Sequence, residues 1–88
     1  MSVEREVLDQ LLGGDLSLEI IAGLFPDLGH CRQAIGAMLD DGQVLLLDSS
    51  GNQIPKWRYR GLQSQPEFWS VGTPYRLSIT DSGVKLVT

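Results

Sequence analysis

Three cationic residues alternate with two aromatic residues in the segment Lys56–Arg60. An alternation with a period of two predicts a β-strand, because successive side chains of a strand point to opposite faces. Lys56, Arg58 and Arg60 would then lie on one face about 7 Å apart, roughly twice the phosphate spacing along one nucleic-acid strand. Such a row is suited to backbone phosphates. The alternative is a solvated strand face whose cations prevent edge-to-edge aggregation.

Two aromatic groups accompany these cations. Trp57 and Tyr59 would occupy the opposite strand face, where we interpret them as core or subunit contacts rather than as stacking platforms for bases. Phe68 and Trp69 interrupt a polar run. Large aromatic residues in such a position pack on the core or contact a protein partner.

The charge of the chain is unevenly distributed. The formal net charge is −4, which disfavours general affinity for nucleic acid. Residues 1–48 hold nine acidic residues against two arginines, a balance of −7, whereas residues 49–88 have a balance of +3. Because the distribution of charge matters more than its total, the cationic end is the candidate nucleic-acid surface. The acidic half favours a protein partner instead.

Apolar residues at helical spacing predict two helices in the first part of the chain, over about residues 3–12 and 17–25. Ser2 and Ser17 are positioned as N-caps, and Pro26 is expected to end the second helix. The apolar face of the first helix consists of Val3, Val7, Leu8, Leu11 and Leu12.

A third helix is predicted over residues 28–40. Asp27 is its expected N-cap, and Gly42 follows at a position that tolerates a left-handed backbone. Two short helices joined by a tight connection, the second of them amphipathic, form the helix-turn-helix pattern. The predicted buried residues of the third helix are Cys31, Ile35, Met38 and Leu39.

The period then changes from that of a helix to that of a strand. Val44–Leu47 is a short apolar run followed by a turn, in which Gly51 and Asn52 would supply positive φ. Tyr75–Ile79 alternates again, with its apolar residues expected to face the core. A terminal turn is expected to begin at residue 80 or 81.

Two segments of the sequence resemble the winged helix-turn-helix family. CRQAIGAMLDDGQV, residues 31–44, is similar to the family's third helix and first wing strand, and YRLSITDSG, residues 75–83, is similar to its last wing strand. The resemblance covers about residues 3–48 and 75–88. It implies one α+β domain over residues 1–88, with three helices followed by a two- or three-stranded antiparallel wing at about 43–80. Since residues 49–74 are longer than a simple wing loop, we expect an enlarged wing or a third strand at Lys56–Leu62.

The resemblance also implies how such a domain would bind double-stranded DNA. The third helix would enter the major groove, where His30, Arg32 and Gln33 are candidate base contacts. Lys56, Arg58 and Arg60 on the wing would contact the DNA backbone. The alternative is that the helix residues are ordinary exposed side chains.

Other functional classes find little support in the sequence. It shows no glycine-rich phosphate loop, metal-ligand spacing or catalytic triad, so we predict no enzyme activity, metal or cofactor. The single cysteine, the lack of an apolar span and the acidic N-terminus favour a cytoplasmic location away from membranes. The sequence thus predicts a small DNA-binding transcription regulator, which could act as a homodimer on two half-sites. The alternative is a protein-interaction module on the same fold, contacting its partner through Phe68 and Trp69.

Overall fold

The computed structural model describes residues 3–69 and 72–88, and the expected cap Ser2 lies outside these residues. The described residues form an α+β structure, which confirms the predicted class. Two 3₁₀ turns, Lys56–Arg58 and Pro66–Trp69, accompany the helices and strands. The helices are α1 (Val3–Leu11), α2 (Leu18–Ala22), α3 (Leu28–Asp40), α4 (Tyr59–Gln63) and α5 (Asp81–Val87), and the strands are β1 (Leu16–Ser17), β2 (Val44–Leu47) and β3 (Arg76–Ile79).

The three strands form an antiparallel sheet in the order β1-β3-β2. In the central strand, Leu77 pairs with Leu16 on one side and with Leu46 on the other. The expected third strand at Lys56–Leu62 is therefore wrong, because the third strand is the short segment Leu16–Ser17. A strand of two residues is too short to give a periodic pattern in the sequence.

Helices α2 and α3 begin directly after their predicted N-caps. The hydroxyl of Ser17 accepts a hydrogen bond from the amide of Ile20 at 3.3 Å, and Asp27 Oδ1 accepts one from the amide of His30 at 2.7 Å. The second helix ends at Ala22, earlier than expected, and the chain continues in short-range turns through Phe25. Helix α3 has the predicted bounds.

The segment Lys56–Arg60 is helical, so the strand prediction for it is wrong. Pro55 precedes the 3₁₀ turn with φ −60°, and its carbonyl accepts a hydrogen bond from the amide of Arg58. Proline fixes φ near the helical value and needs no donor in a first turn. Tyr59 and Leu62, three positions apart, are both buried, which anchors one helical face on the core.

The turn after β2 is built around Asp48. Its Oδ1 accepts hydrogen bonds from the amides of Ser50 and Asn52, each at 2.9 Å. Gly51 has φ +85° and Gly42 has φ +73°, as predicted, but Asn52 is not in the left-handed region. The side chain of Asp48 thus satisfies the amide donors that the turn would otherwise leave unpaired.

One hydrophobic core joins the helices to the sheet. The predicted stripe of α3 is buried, whereas Leu12 at the end of the first helix is 45% exposed. None of the helices in the described part of the chain is long and apolar enough to cross a membrane. The largest fully buried side chains are Phe68, Leu11, Leu18, Ile21, Ile35, Leu39, Leu46 and Leu77.

Candidate functional site

The segment 56–63 lies against one side of α3. Arg32 Nη2 donates to the carbonyl oxygen of Gln63 at 3.5 Å, and Lys56 Nζ donates to the carbonyl oxygen of Asp40 at 3.1 Å. Between these contacts, a Cβ added to Gly36 would lie 2.8 Å from Gln63 Oε1. The Gln63 side chain thus lies over Gly36, and the segment covers the part of α3 around it.

Two adjoining grooves follow this contact. Arg60 and Gln63 line both grooves, with Arg32 in one and Lys56 in the other, and we call the two together the α3–α4 groove. Exposed Gln33 lies on its wall. The remaining lining residues are Gly29, Ser64 and Trp69 in one part and Asp40, Trp57 and Tyr59 in the other.

The cations of the segment do not form the single row predicted for a strand. Lys56 and Arg60 border the α3–α4 groove, but Arg58 lines a separate groove with Gly61, Leu62 and Gln65. The helical turn causes this separation, because residues two positions apart in a helical turn project to roughly opposite sides. The structure therefore overturns the prediction that Lys56, Arg58 and Arg60 share one strand face.

The positive charge around the groove is not neutralised by ion pairing. Within residues 3–69 and 72–88, none of Arg32, Lys56, Arg58 and Arg60 forms a salt bridge. Arg32 and Lys56 donate instead to backbone carbonyl oxygens, which carry no net charge. Asp40 contributes an acidic residue to the lining at the Lys56 end. The groove consequently has a local excess of positive charge.

His30 lies apart from the other two residues proposed for base contact. Its Nε2 is 3.9 Å from Glu4 Oε1 of α1, and its ring meets that of Phe25 edge-on, with centroids 5.3 Å apart. Arg32 and Gln33 instead line the α3–α4 groove. The structure thus brings two of the three residues together and turns His30 toward the first helix.

Phe68 and Trp69 belong to the core, which corrects their assignment as partner contacts. They are 1% and 6% exposed, with ring centroids 4.8 Å apart. Trp69 Nε1 donates to the carbonyl oxygen of Gln63 at 2.8 Å, and Phe68 also packs on Tyr75. Side chains buried to this extent are not available to another protein, so the alternative, packing on the core, is the correct one.

Trp57, predicted to be a core or a subunit contact, is the most exposed aromatic residue of the described chain. Trp57 is 81% exposed, so it is not a core residue, whereas Tyr59 is 4% exposed and packs inside as expected. Helical spacing indicates this exposure, because a helix that directs Tyr59 and Leu62 toward the core places Trp57 outside its buried face.

Cys31 is a packing residue of α3. Its side chain is fully buried, and burial raises the pKa of its thiol from 9.0 to about 11 because the thiolate loses its solvation. Within the described residues, no three His, Cys, Asp or Glu side chains are grouped so that they could hold a metal ion. The thiol has the character of a small apolar group rather than of a nucleophile.

Comparisons with protein-family models, with curated proteins and with solved structures give no match for this chain. What the α3–α4 groove can bind therefore follows from the chemistry of its own residues.

Proposed function

We propose that this chain is a winged-helix domain that binds double-stranded DNA through the α3–α4 groove and acts as a small transcription regulator. The element order supports the fold assignment, since α1, β1, α2 and α3 are followed by β2 and β3 with the last strand in the centre of the sheet. Helices α2 and α3, joined by a short connection, are arranged in sequence as in a helix-turn-helix motif.

The observation that carries the proposal is the placement of Arg32, Lys56 and Arg60 around the α3–α4 groove, where none of them forms a salt bridge with a described residue. Cations that neutralise phosphates release bound counterions, and this release supplies much of the free energy of DNA binding. The three side chains come from α3, the 3₁₀ turn and α4. The α3–α4 groove thus takes the place of the predicted wing strand as the proposed backbone-binding surface.

The covering of α3 by the segment 56–63 defines which part of the helix would reach base edges. Around Gly36 the helix is occupied by Gln63, whereas Gly29, Arg32 and Gln33 near its start are exposed. Residues at the start of a recognition helix contact bases in helix-turn-helix proteins. Arg32 would pair with guanine and Gln33 with adenine.

Fluorescence anisotropy of a labelled short duplex tests the proposal at about 50 mM and 200 mM salt. We expect wild-type binding that weakens with salt. The triple variant Arg32→Ala, Lys56→Ala, Arg60→Ala should have a shallower salt slope, by roughly 0.9 for each phosphate that it no longer neutralises. Arg60→Ala has a matched control in Lys85→Ala, which removes one exposed cation from α5. Equal reductions of affinity in Arg60→Ala and Lys85→Ala would show that binding is not located at the groove.

A second candidate function is a protein-interaction module, which two observations favour. Residues 1–48 have a charge balance of −7, which repels DNA, and the segment 56–63 covers part of the α3 surface that would enter the major groove. Absence of duplex binding at low salt would favour this module, because electrostatic affinity is strongest there. Sedimentation equilibrium of the isolated chain then distinguishes self-association from binding to a different protein.

A further inference from the structure

Trp57 is an exposed indole in cationic surroundings. It is 81% exposed, although tryptophan is a residue that proteins bury extensively. The side chain stands between the α3–α4 groove and the groove of Arg58, since it lines both. Its chain neighbours Lys56 and Arg58 form no salt bridge within the described residues. An accessible π face is thus flanked by two positive charges.

This combination matches the chemistry of a nucleic-acid strand at an unstacked base. Indole rings stack on the face of any base, while neighbouring cations bind the phosphates on either side of it. A regular duplex offers no free base face, because each base is covered by the pairs above and below it. A bulged base offers one at little cost, since its stacking is already weakened.

We propose that Trp57 stacks on an unpaired base, so that this domain binds DNA containing a bulge more tightly than regular duplex. The inference rests on the proposed DNA-binding function and adds a preference for a DNA structure. Arg60 and Lys56 hold the backbone in the α3–α4 groove, and the indole contacts the displaced base. The preference is independent of base sequence, because every base has a π face.

The test compares the affinities of two labelled duplexes of one sequence, one regular and one with a single-base bulge. We expect wild-type protein to bind the bulged duplex roughly tenfold more tightly, within the range that one stacked base supplies. Trp57→Ala should remove this preference, so that the variant binds the regular and the bulged duplex with equal affinity. Trp57→Phe retains an aromatic face and should keep most of the preference. The exposed position makes both substitutions compatible with folding.

Tryptophan fluorescence gives a second readout. Binding of bulged DNA should quench the emission of wild-type protein, because a base stacked on the excited indole quenches it by electron transfer. Trp57→Phe leaves only Trp69, which lines the α3–α4 groove but is 6% exposed and cannot stack on a base, so most of the quench should be lost. A quench that persists in Trp57→Phe would show that the signal arises elsewhere and would contradict stacking by Trp57.

The outcomes separate the two proposals. Binding to regular duplex with no bulge preference, or with a preference that survives Trp57→Ala, overturns the stacking inference and leaves the DNA-binding function intact. Absence of binding to either duplex at low salt overturns both. If Trp57→Ala changes sedimentation of the free protein but not its DNA affinities, Trp57 is a protein contact and the inference is wrong.

Discussion

The hydroxyl of Thr80 lies 2.5 Å from the carbonyl oxygen of Gly42 and donates a hydrogen bond to it. The same hydroxyl accepts a hydrogen bond from the amide of Gly83 at 3.2 Å, and the amide of Thr80 donates to the carbonyl oxygen of Gln43 at 3.1 Å. Thr80 therefore caps α5 and links it by hydrogen bonds to the residues that connect α3 to β2.

Replacing Thr80 tests this junction. Thr80→Val keeps the shape of the side chain but removes both hydroxyl hydrogen bonds, and we expect it to lower the free energy of unfolding by about 1–3 kcal/mol. Thr80→Ser keeps the hydroxyl and should be much less destabilised. Urea denaturation followed by circular dichroism measures both values. Equal stability of the valine and serine variants would mean that the hydroxyl contributes nothing.

Two helical glycines provide a matched pair of substitutions. A Cβ on Gly83 would collide with the carbonyl oxygen of Gln43 and lie 2.8 Å from Cγ1 of Ile79, whereas nothing lies within 4 Å of a Cβ on Gly61. We expect Gly83→Ala to be destabilising by about 1–3 kcal/mol, because the packed backbone has to move. Gly61→Ala should be neutral or stabilising by up to about 1 kcal/mol. Thermal unfolding compares the two, and a stable Gly83→Ala protein would contradict the close contact.

Tyr59 satisfies a buried amide at the edge of the sheet. Its hydroxyl oxygen accepts a hydrogen bond from the amide of Leu46 at 3.4 Å, and Leu46 is fully buried. Tyr59→Phe leaves this donor unpaired and should cost about 1 kcal/mol or more of stability. Tyr75→Phe is the control, since no hydrogen bond to the Tyr75 hydroxyl occurs within the described residues. Chemical denaturation should give Tyr59→Phe a lower free energy of unfolding than Tyr75→Phe.

The thiol of Cys31 should react slowly in the folded protein. Its pKa is raised from 9.0 to about 11 by burial, so the thiolate fraction at neutral pH is about a hundredfold lower than for a free thiol. The folded state binds this proton more tightly than the unfolded state does. The contribution of the protonated thiol to the stability of the folded state is therefore complete below pH 9 and is lost as the pH rises toward about 11. Iodoacetamide labelling with and without denaturant measures the difference. Equal rates would show that the thiol is exposed.

Much of the helical half could be predicted from the sequence because its signals are local. The side chain of Asp27 caps the start of α3, and Gly42 follows its end in the left-handed conformation. The amphipathic spacing between them determines which face of the helix is buried. These signals depend on neighbours within a few positions. The base-contact candidates Arg32 and Gln33 follow directly from that spacing.

The segment 56–63 could not be predicted in the same way, because its alternation of charged and aromatic residues fits a strand as well as a helix. Pro55 and the spacing of Tyr59 and Leu62 favour the helix, but only the tertiary structure reveals that α4 packs on α3 at Gly36. The two-residue strand Leu16–Ser17 likewise exists only through its pairing with β3. Such long-range contacts override weak local patterns.

The sheet order has a consequence for how the chain acquires its structure. β3, the central strand, is the last of the three to leave the ribosome, and until it arrives neither β1 nor β2 has its neighbour. The guanidinium of Arg76 reaches back across 61 positions to the carbonyl oxygen of Asp15, so the closing contacts are among the most distant in the sequence. The entropy cost of closing such long loops comes before strand pairing contributes favourable free energy. Assembly of the sheet is therefore a late and all-or-none event. During synthesis the sheet thus stays incomplete until the final strand has emerged.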